Sequence, residues 1–256
     1  MAPIKVTFLG TGTSQGIPMI ACSCDVCQSN DTRDKRLRVS LHLEINGRSF
    51  VIDTGPDFRQ QMLREKITHL DAVLFTHEHK DHTAGLDDIR GFNYAQKSVI
   101  PIYAQARVIE QLKREFSYAF DEIKYPGVPD LQIHEIDEHP FDIFDVSFLP
   151  IPVKHFMLDI FGFRIQDFTY ITDANHISEE TMAKLVGTKV LVLNALRKEN
   201  HISHFNLSEA LEIIEKIKPE KAYLTHLSHQ MGKHEVVQKE LPEQVFLAYD
   251  GLKISI

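Results

Sequence analysis

The segment that most constrains this chain is Thr76-His77-Glu78-His79-Lys80-Asp81-His82, which follows the apolar run Ala72-Val73-Leu74-Phe75 without a break. Four side chains able to bind metal, His77, His79, Asp81 and His82, fall within six positions. In extended backbone His77 and His79 share one side, while Asp81 and His82 lie past the turn, where they can face a second ion a few ångströms away. Such a density of imidazoles and carboxylates at the end of a buried strand is costly unless cations sit among them. The expected fold is therefore one whose strand ends collect these groups at a single rim.

The rest of the pattern supplies the sheets. Short runs rich in β-branched and aromatic residues predict strands over Ile4–Leu9, Val39–Ile45, Ser49–Asp53, Ala72–Phe75, Val99–Tyr103, Val146–Pro150, Phe168–Thr172, Val190–Asn194, Ala222–Thr225 and Val245–Ala248. Helical periodicity covers Phe58–Glu65, Gln105–Phe116, Ser178–Val186 behind a Ser cap, and Leu207–Ile217 behind Asn206. This reads as two β-rich halves with helices packed outside, in one α/β domain over 1–256, since no Pro/Gly/Ser-rich linker or short repeat divides the chain. The early GTGTSQG loop leads to Pro18 rather than into a helix and misses the G-x-G-x-x-G spacing, which argues against a dinucleotide fold.

Charge and cysteine usage narrow the function. Lys+Arg 28 against Asp+Glu 36 leaves a net charge of -8, which disfavours broad contact with phosphate backbones, so nucleic acid is not an expected partner. No apolar run approaches the ~18 residues of a membrane helix, and MAPIKVTFLGTG starts directly on a strand pattern, so a cytoplasmic protein is expected. All three cysteines sit in one C-x-C-x-x-C loop at 22–27, Cys22, Cys24 and Cys27. These spacings suit thiolates converging on zinc better than disulfides, and zinc wants a fourth ligand, for which His229 is the candidate.

The H-x-H-x-D-H run resembles the signature of the metallo-β-lactamase fold superfamily. Its later landmarks are similar to His155 in PVKHF, Asp173 in YITDAN and His226 in YLTHLSH. The resemblance implies a four-layer αββα sandwich in which His77, His79 and His155 hold one divalent ion, Asp81, His82 and His226 hold another, and Asp173 bridges them. Asp53 in VIDTG resembles the carboxylate that supports these ligands from behind. Taken alone, His155 or Asp173 is as readily a packing or turn residue.

GTGTSQGIP, the cysteine loop and THLSHQ together resemble the PhnP-like cyclic phosphodiesterases. That branch implies a structural zinc on Cys22, Cys24, Cys27 and His229, beside two catalytic ions, Mn or Zn. Its phosphodiesterase pattern, a His ahead of an Asn-capped helix, implies that His204 meets the phosphate or leaving oxygen, with His201 as the alternative and a solvated loop as the plain one. The basic stretch Arg33–Arg38 reads first as a solvated strand edge, although Arg36 or Arg38 turned inward would hold a substrate phosphate. The expected activity is metal-dependent hydrolysis of a small diester, a sugar 1,2-cyclic phosphate opened to a monoester by a metal-bridging hydroxide, with Asp81 and His204 in catalytic roles. The competing readings are a tRNase Z-like RNA 3′-processing endonuclease and a lactone or non-phosphate ester hydrolase of the same fold. The superfamily is compatible with a homodimer.

Overall fold

The computed structural model describes residues 3–123 and 125–256. Along the described chain, the strands are β1 (Ile4–Gly10), β2 (Ser40–Ile45), β3 (Arg48–Ile52), β4 (Ala72–Leu74), β5 (Ile100–Ala104), β6 (Leu131–Glu135), β7 (Phe141–Ile143), β8 (Val146–His155), β9 (Leu158–Ile165), β10 (Phe168–Ile171), β11 (Val190–Asn194), β12 (Lys221–Thr225), β13 (Val245–Leu247) and β14 (Lys253–Ser255). They form two seven-stranded sheets, ordered β14-β1-β2-β3-β4-β5-β6 and β13-β12-β11-β10-β9-β8-β7. The helices are α1 (Phe58–Glu65), α2 (Lys80–Thr83), α3 (Arg90–Gln96), α4 (Ala106–Glu115), α5 (Ser117–Phe120), α6 (Glu179–Lys184), α7 (Leu207–Ile217) and α8 (His234–Gln238).

Strand alternation sorts the apolar residues into layers. Inner positions Phe8, Leu43, Phe50 and Leu74 of the first sheet meet Phe148, Phe163, Tyr170 and Val192 of the second in one core. Outer positions Val51, Val73 and Ile102 pack under α1 and α4 through Phe58, Met62, Val108 and Leu112. On the far side, Ile171, Leu191, Leu193 and Leu224 pack beneath Ala210 and Ile214 of α7 and Val237 of α8. The central strands are covered on both faces, which explains their continuous apolar runs. Each of these large side chains contributes roughly 1.5–3 kcal/mol relative to exposure. The result is the expected αββα sandwich.

α1 and α7 have the predicted bounds, and Asn206 caps α7 in a reciprocal box with Glu209. β6, β7, β9 and β14 were not foreseen. β9 was hidden by Gly162, which weakens a strand pattern but is required here, because a Cβ would stand 2.6 Å from the Tyr170 carbonyl oxygen. β8 continues through Pro150 and Pro152 to His155, five residues beyond expectation. Its pairing with β7 ends at Phe148, so both prolines lie where the lost N–H leaves no gap in a ladder.

The topology places the chemistry. β3, β4, β5 and β6 are mutually parallel, as are β10, β11, β12 and β13. Asp53, Thr76–His77, Asp173 and His226 follow the carboxyl ends of β3, β4, β10 and β12, at one edge of the sandwich.

Candidate metal centres and active site

The strand ends are held in shapes that ordinary side chains resist. Asp53, Asp173 and His226 all adopt left-handed backbone, with φ of 64°, 60° and 54°. Such residues persist only when their surroundings over-determine them. The surroundings here are specific: the Asn194 side chain accepts from Ala174 N at 2.8 Å and donates to Ala174 O at 2.9 Å, which locks the turn behind Asp173. Leu227 N donates to Thr11 O and Ser228 N to Leu196 O, which fixes the turn after His226. Thr54 N donates to His82 O at 2.7 Å, joining the Asp53 turn to the histidine loop.

Two adjacent ligand sets result. His77, His79 and His155 form one, and Asp81, His82, Asp173 and His226 the other, with one ligand atom from each residue within 4.8 Å of the rest of its set. Asp173 Oδ2 stands 3.3 Å from His226 Nε2, 3.4 Å from His82 Nε2 and 3.9 Å from His77 Nε2, so it faces both sets. The buried nitrogens His82 Nε2 and His226 Nδ1 and Nε2 have no hydrogen-bond partner. Orphaned buried imidazole nitrogens beside carboxylates fit divalent cations.

The opposite ring nitrogens are already committed. Asp53 is fully buried and accepts from Thr76 N, Thr76 Oγ1 and His82 Nδ1, each at 2.8 Å. Thr76 Oγ1 in turn accepts from His77 Nδ1 at 3.0 Å, and His155 Nδ1 donates to Ser203 O at 2.8 Å. These bonds select the tautomers that leave Nε2 of His77, His82 and His155 free to ligate. Thr76, Asn194 and Ser203 were missed from sequence. A Thr just before the first histidine and an Asn ending the apolar strand VLVLN were the available signals for two of them; a carbonyl such as that of Ser203 leaves none.

Burial and charge set the electrostatics. Burial works against the charged forms, yet Asp173, Asp81 and Asp53 raise the His82 pKa well above the ordinary histidine range. His226, His82 and His77 likewise outweigh burial and hold Asp173 well below the usual carboxylate range. His77 is pushed far down, by burial first and then by His82. Asp173 and Asp81 are thus held in their charged forms by the surrounding imidazoles, a donor set that suits a divalent cation.

The cysteine loop folds against the segment that carries His226. Cys24 Sγ lies 3.2 Å and Cys22 Sγ 3.5 Å from His229 Nδ1, and Cys27 completes a four-residue set with all ligand atoms within 4.8 Å. The three thiols are free of disulfides. The Cys27 backbone N–H and the His229 ring lower the Cys24 thiol to about 6, while burial raises Cys27 to about 11. A thiolate at Cys24 suits Cys₃His zinc coordination.

His204 is buried and packs against His155 and His226, with ring centroids 4.7 and 4.8 Å away. Its Nδ1 is unpartnered. His201 lies farther out, 5.1 Å from His204, and its Nδ1 accepts from Ser203 N. Of the two arginines considered for a substrate phosphate, one is enclosed and the other is ion-paired. Arg36 is enclosed, donating to Thr11 Oγ1 and Ala248 O beside His234, because burial of its stem is compensated by these acceptors and by nearby Asp250. Arg38 pairs with Asp57 at 3.2 Å and donates to Ser14 O. Arg197, not foreseen, lines a cavity together with His201, His204 and His226.

Comparison with known proteins agrees with this geometry. The family described as Beta-lactamase superfamily domain matches residues 48–227, a span that includes every residue of the two His/Asp ligand sets. A crystal structure described as a new diphosphatase from the PhnP family superposes with a TM-score of 0.93 and 38% identity, covering 99% of this chain and 97% of that one. An octanoyltransferase of Porphyromonas gingivalis (strain ATCC BAA-308 / W83) is 37% identical over 256 residues, which make up 99% of this chain and 52% of that protein. The chain thus spans about half the length of that curated relative. Human tRNase Z, short form, shares the fold at a TM-score of 0.70 and 18% identity, with 98% of each chain covered. By sequence over most of its length and by structure over nearly all of it, the chain belongs to the β-lactamase superfamily and, within it, to the PhnP family.

Proposed function

We propose that this metal-dependent hydrolase cleaves small phosphodiesters, with a sugar-type 1,2-cyclic phosphate opened to a monoester as the favoured class. The observation that carries the reading is the pair of adjacent ligand sets sharing Asp173, with a further buried histidine, His204, beside them. In this reading His77, His79 and His155 would hold one ion and Asp81, His82 and His226 the other, with Asp173 facing both sets and Zn or Mn as the fitting metals. Cys22, Cys24, Cys27 and His229 hold a structural zinc. When bound, two such ions polarise phosphoryl oxygens and lower the pKa of an attacking water.

The chain's own residues do the remaining work. Asp81 and Asp173 offset the charge of the ions. Asp53, Thr76 and the Ser203 carbonyl keep His82, His77 and His155 in ligating orientation. His204 faces the same space without a bonding partner of its own. Burial first, and then His226, push its pKa down to about 3, so it is neutral and carries one ring N–H. That N–H can stabilise charge on the departing oxygen, whereas passing a proton there requires the ring first to be charged as an imidazolium, which a bound phosphodiester anion favours.

The PhnP-family structure described as a diphosphatase supports phosphoryl chemistry for the site. The octanoyltransferase relative raises acyl transfer as the competitor. A cysteine acyl carrier needs a free thiol, and all three cysteines here lie in the cluster with His229. A panel on metal-loaded protein separates the readings: bis(p-nitrophenyl) phosphate, p-nitrophenyl phosphate, an octanoyl thioester and a tRNA precursor. The diester should turn over fastest. Faster monoester hydrolysis, or turnover of the thioester alone, overturns the proposal, and cleavage of the precursor at low enzyme concentration favours the endonuclease.

A further inference from the structure

A cavity of about 450 Å³ opens beside the metal ligands, with His204, His226 and the Thr13–Gln15 loop in its lining. Among the described residues that line it none is acidic, although the chain carries a net charge of -8. Its cation is Arg197, which follows β11 by three residues. The guanidinium is held by neutral acceptors: Nη1 donates to Gln230 Oε1 at 2.7 Å, Nη2 to Asn200 O at 2.8 Å, and Nε more weakly to Glu199 O at 3.4 Å. A guanidinium has five N–H donors, so one remains on each terminal nitrogen. Its orientation is fixed while its charge is left uncompensated by these bonds, an arrangement suited to two-pronged binding of an anion. Thr13, Ser14 and Ser228 also line the cavity.

We propose that this cavity is an anion subsite in which Arg197 binds a second phosphoryl group of the substrate, apart from the phosphodiester being cleaved. The inference rests on the phosphodiesterase reading. Because His204 and His226 both line this cavity and stand among the ligand sets, a substrate with its scissile phosphate at the metal ligands can extend its second phosphate toward Arg197. Arg197 then acts on specificity, through binding, and takes no part in bond breaking. A single charge-assisted contact of this kind is worth about ten- to a hundredfold in affinity.

The test compares thymidine 5′-(4-nitrophenyl phosphate) with the same diester carrying a 3′-phosphate, on metal-loaded wild type, Arg197→Gln and Arg197→Lys. Wild type should prefer the phosphorylated diester through a lower KM. Arg197→Gln should lose that preference at least tenfold, in KM rather than kcat, and Arg197→Lys should restore part of it. Matched melting temperatures show that the variants fold alike. A preference that survives Arg197→Gln overturns the subsite, as does wild type that never shows one. If wild type turns over neither diester, the phosphodiesterase reading fails; calorimetric titration with pyrophosphate then decides the subsite, with at least tenfold weaker binding by Arg197→Gln supporting it and equal binding refuting it.

Discussion

Replacing Gly55 by Ala should disable the metal site without touching any ligand. Gly55 ends the Asp53-Thr54-Gly55 turn, and a Cβ built there would stand 2.2 Å from the Asp81 carbonyl oxygen, well inside the 3.0 Å that real Cβ contacts respect. The obstacle is backbone, so no rotamer relieves it. Both loops are pinned, because Thr54 N donates to His82 O at 2.7 Å and Gly85 N to Thr54 O at 2.8 Å. Asp81 and His82 must therefore shift by nearly 1 Å relative to Asp53, and misplacement on that scale costs roughly 10²-fold in rate. Overpacking of this kind also costs about 1–3 kcal/mol of stability. The assay is kcat/KM on bis(p-nitrophenyl) phosphate, with metal content by mass spectrometry and a thermal melt. Gly91→Ala is the control, since nothing lies within 4 Å of that Cβ on exposed α3 and the change should stabilise slightly. Gly55→Ala with activity within threefold of wild type and full metal content would show that the two loops are not held as described.

Further outcomes follow from the same geometry. Cys24→Ser should lose one zinc and melt earlier than wild type, whereas His77→Ala and His79→Ala should keep that zinc; elemental analysis showing all metal lost together would contradict separate sites. His204→Ala should retain metal while losing far more rate on a sugar cyclic phosphate than on a nitrophenyl ester; equal losses would make its role electrostatic, and an effect confined to His201→Ala would move it to the neighbouring histidine. His42 is buried on β2 against Ser49 Oγ, and burial lowers its pKa to about 4. The unfolded chain binds this proton more readily, so stability is full above about pH 6.5 and falls by up to about 3 kcal/mol as pH drops toward 4. Urea midpoints across that window should show the slope, and His42→Gln should flatten it.

The two-sheet sandwich was legible in the sequence, and so were the residues that the structure gathers at its edge, but not every strand. Density made His77, His79, Asp81 and His82 legible, because adjacent ligands need no tertiary information. His155, Asp173 and His226 are single residues after strands, and only resemblance distinguished them from turn residues. β9 and the outer half of β8 escaped because Gly162, Pro150 and Pro152 break the local signal, while tertiary packing and a free edge permit them. The surroundings of the arginines were not legible for a related reason. Local charge alternation cannot say that Arg36 is enclosed by Thr11 and Ala248, more than two hundred residues apart, nor that Arg197 is held by Gln230.

A phosphodiesterase with two adjacent catalytic ions and a separate structural zinc should reveal itself when metal is titrated back into stripped protein while bis(p-nitrophenyl) phosphate hydrolysis is followed. The Cys₃His set should fill without activity, and activity should then rise as two further equivalents of Mn or Zn bind and level off there. Full activity with only one equivalent beyond the cluster, or no diester turnover at any loading, would contradict it.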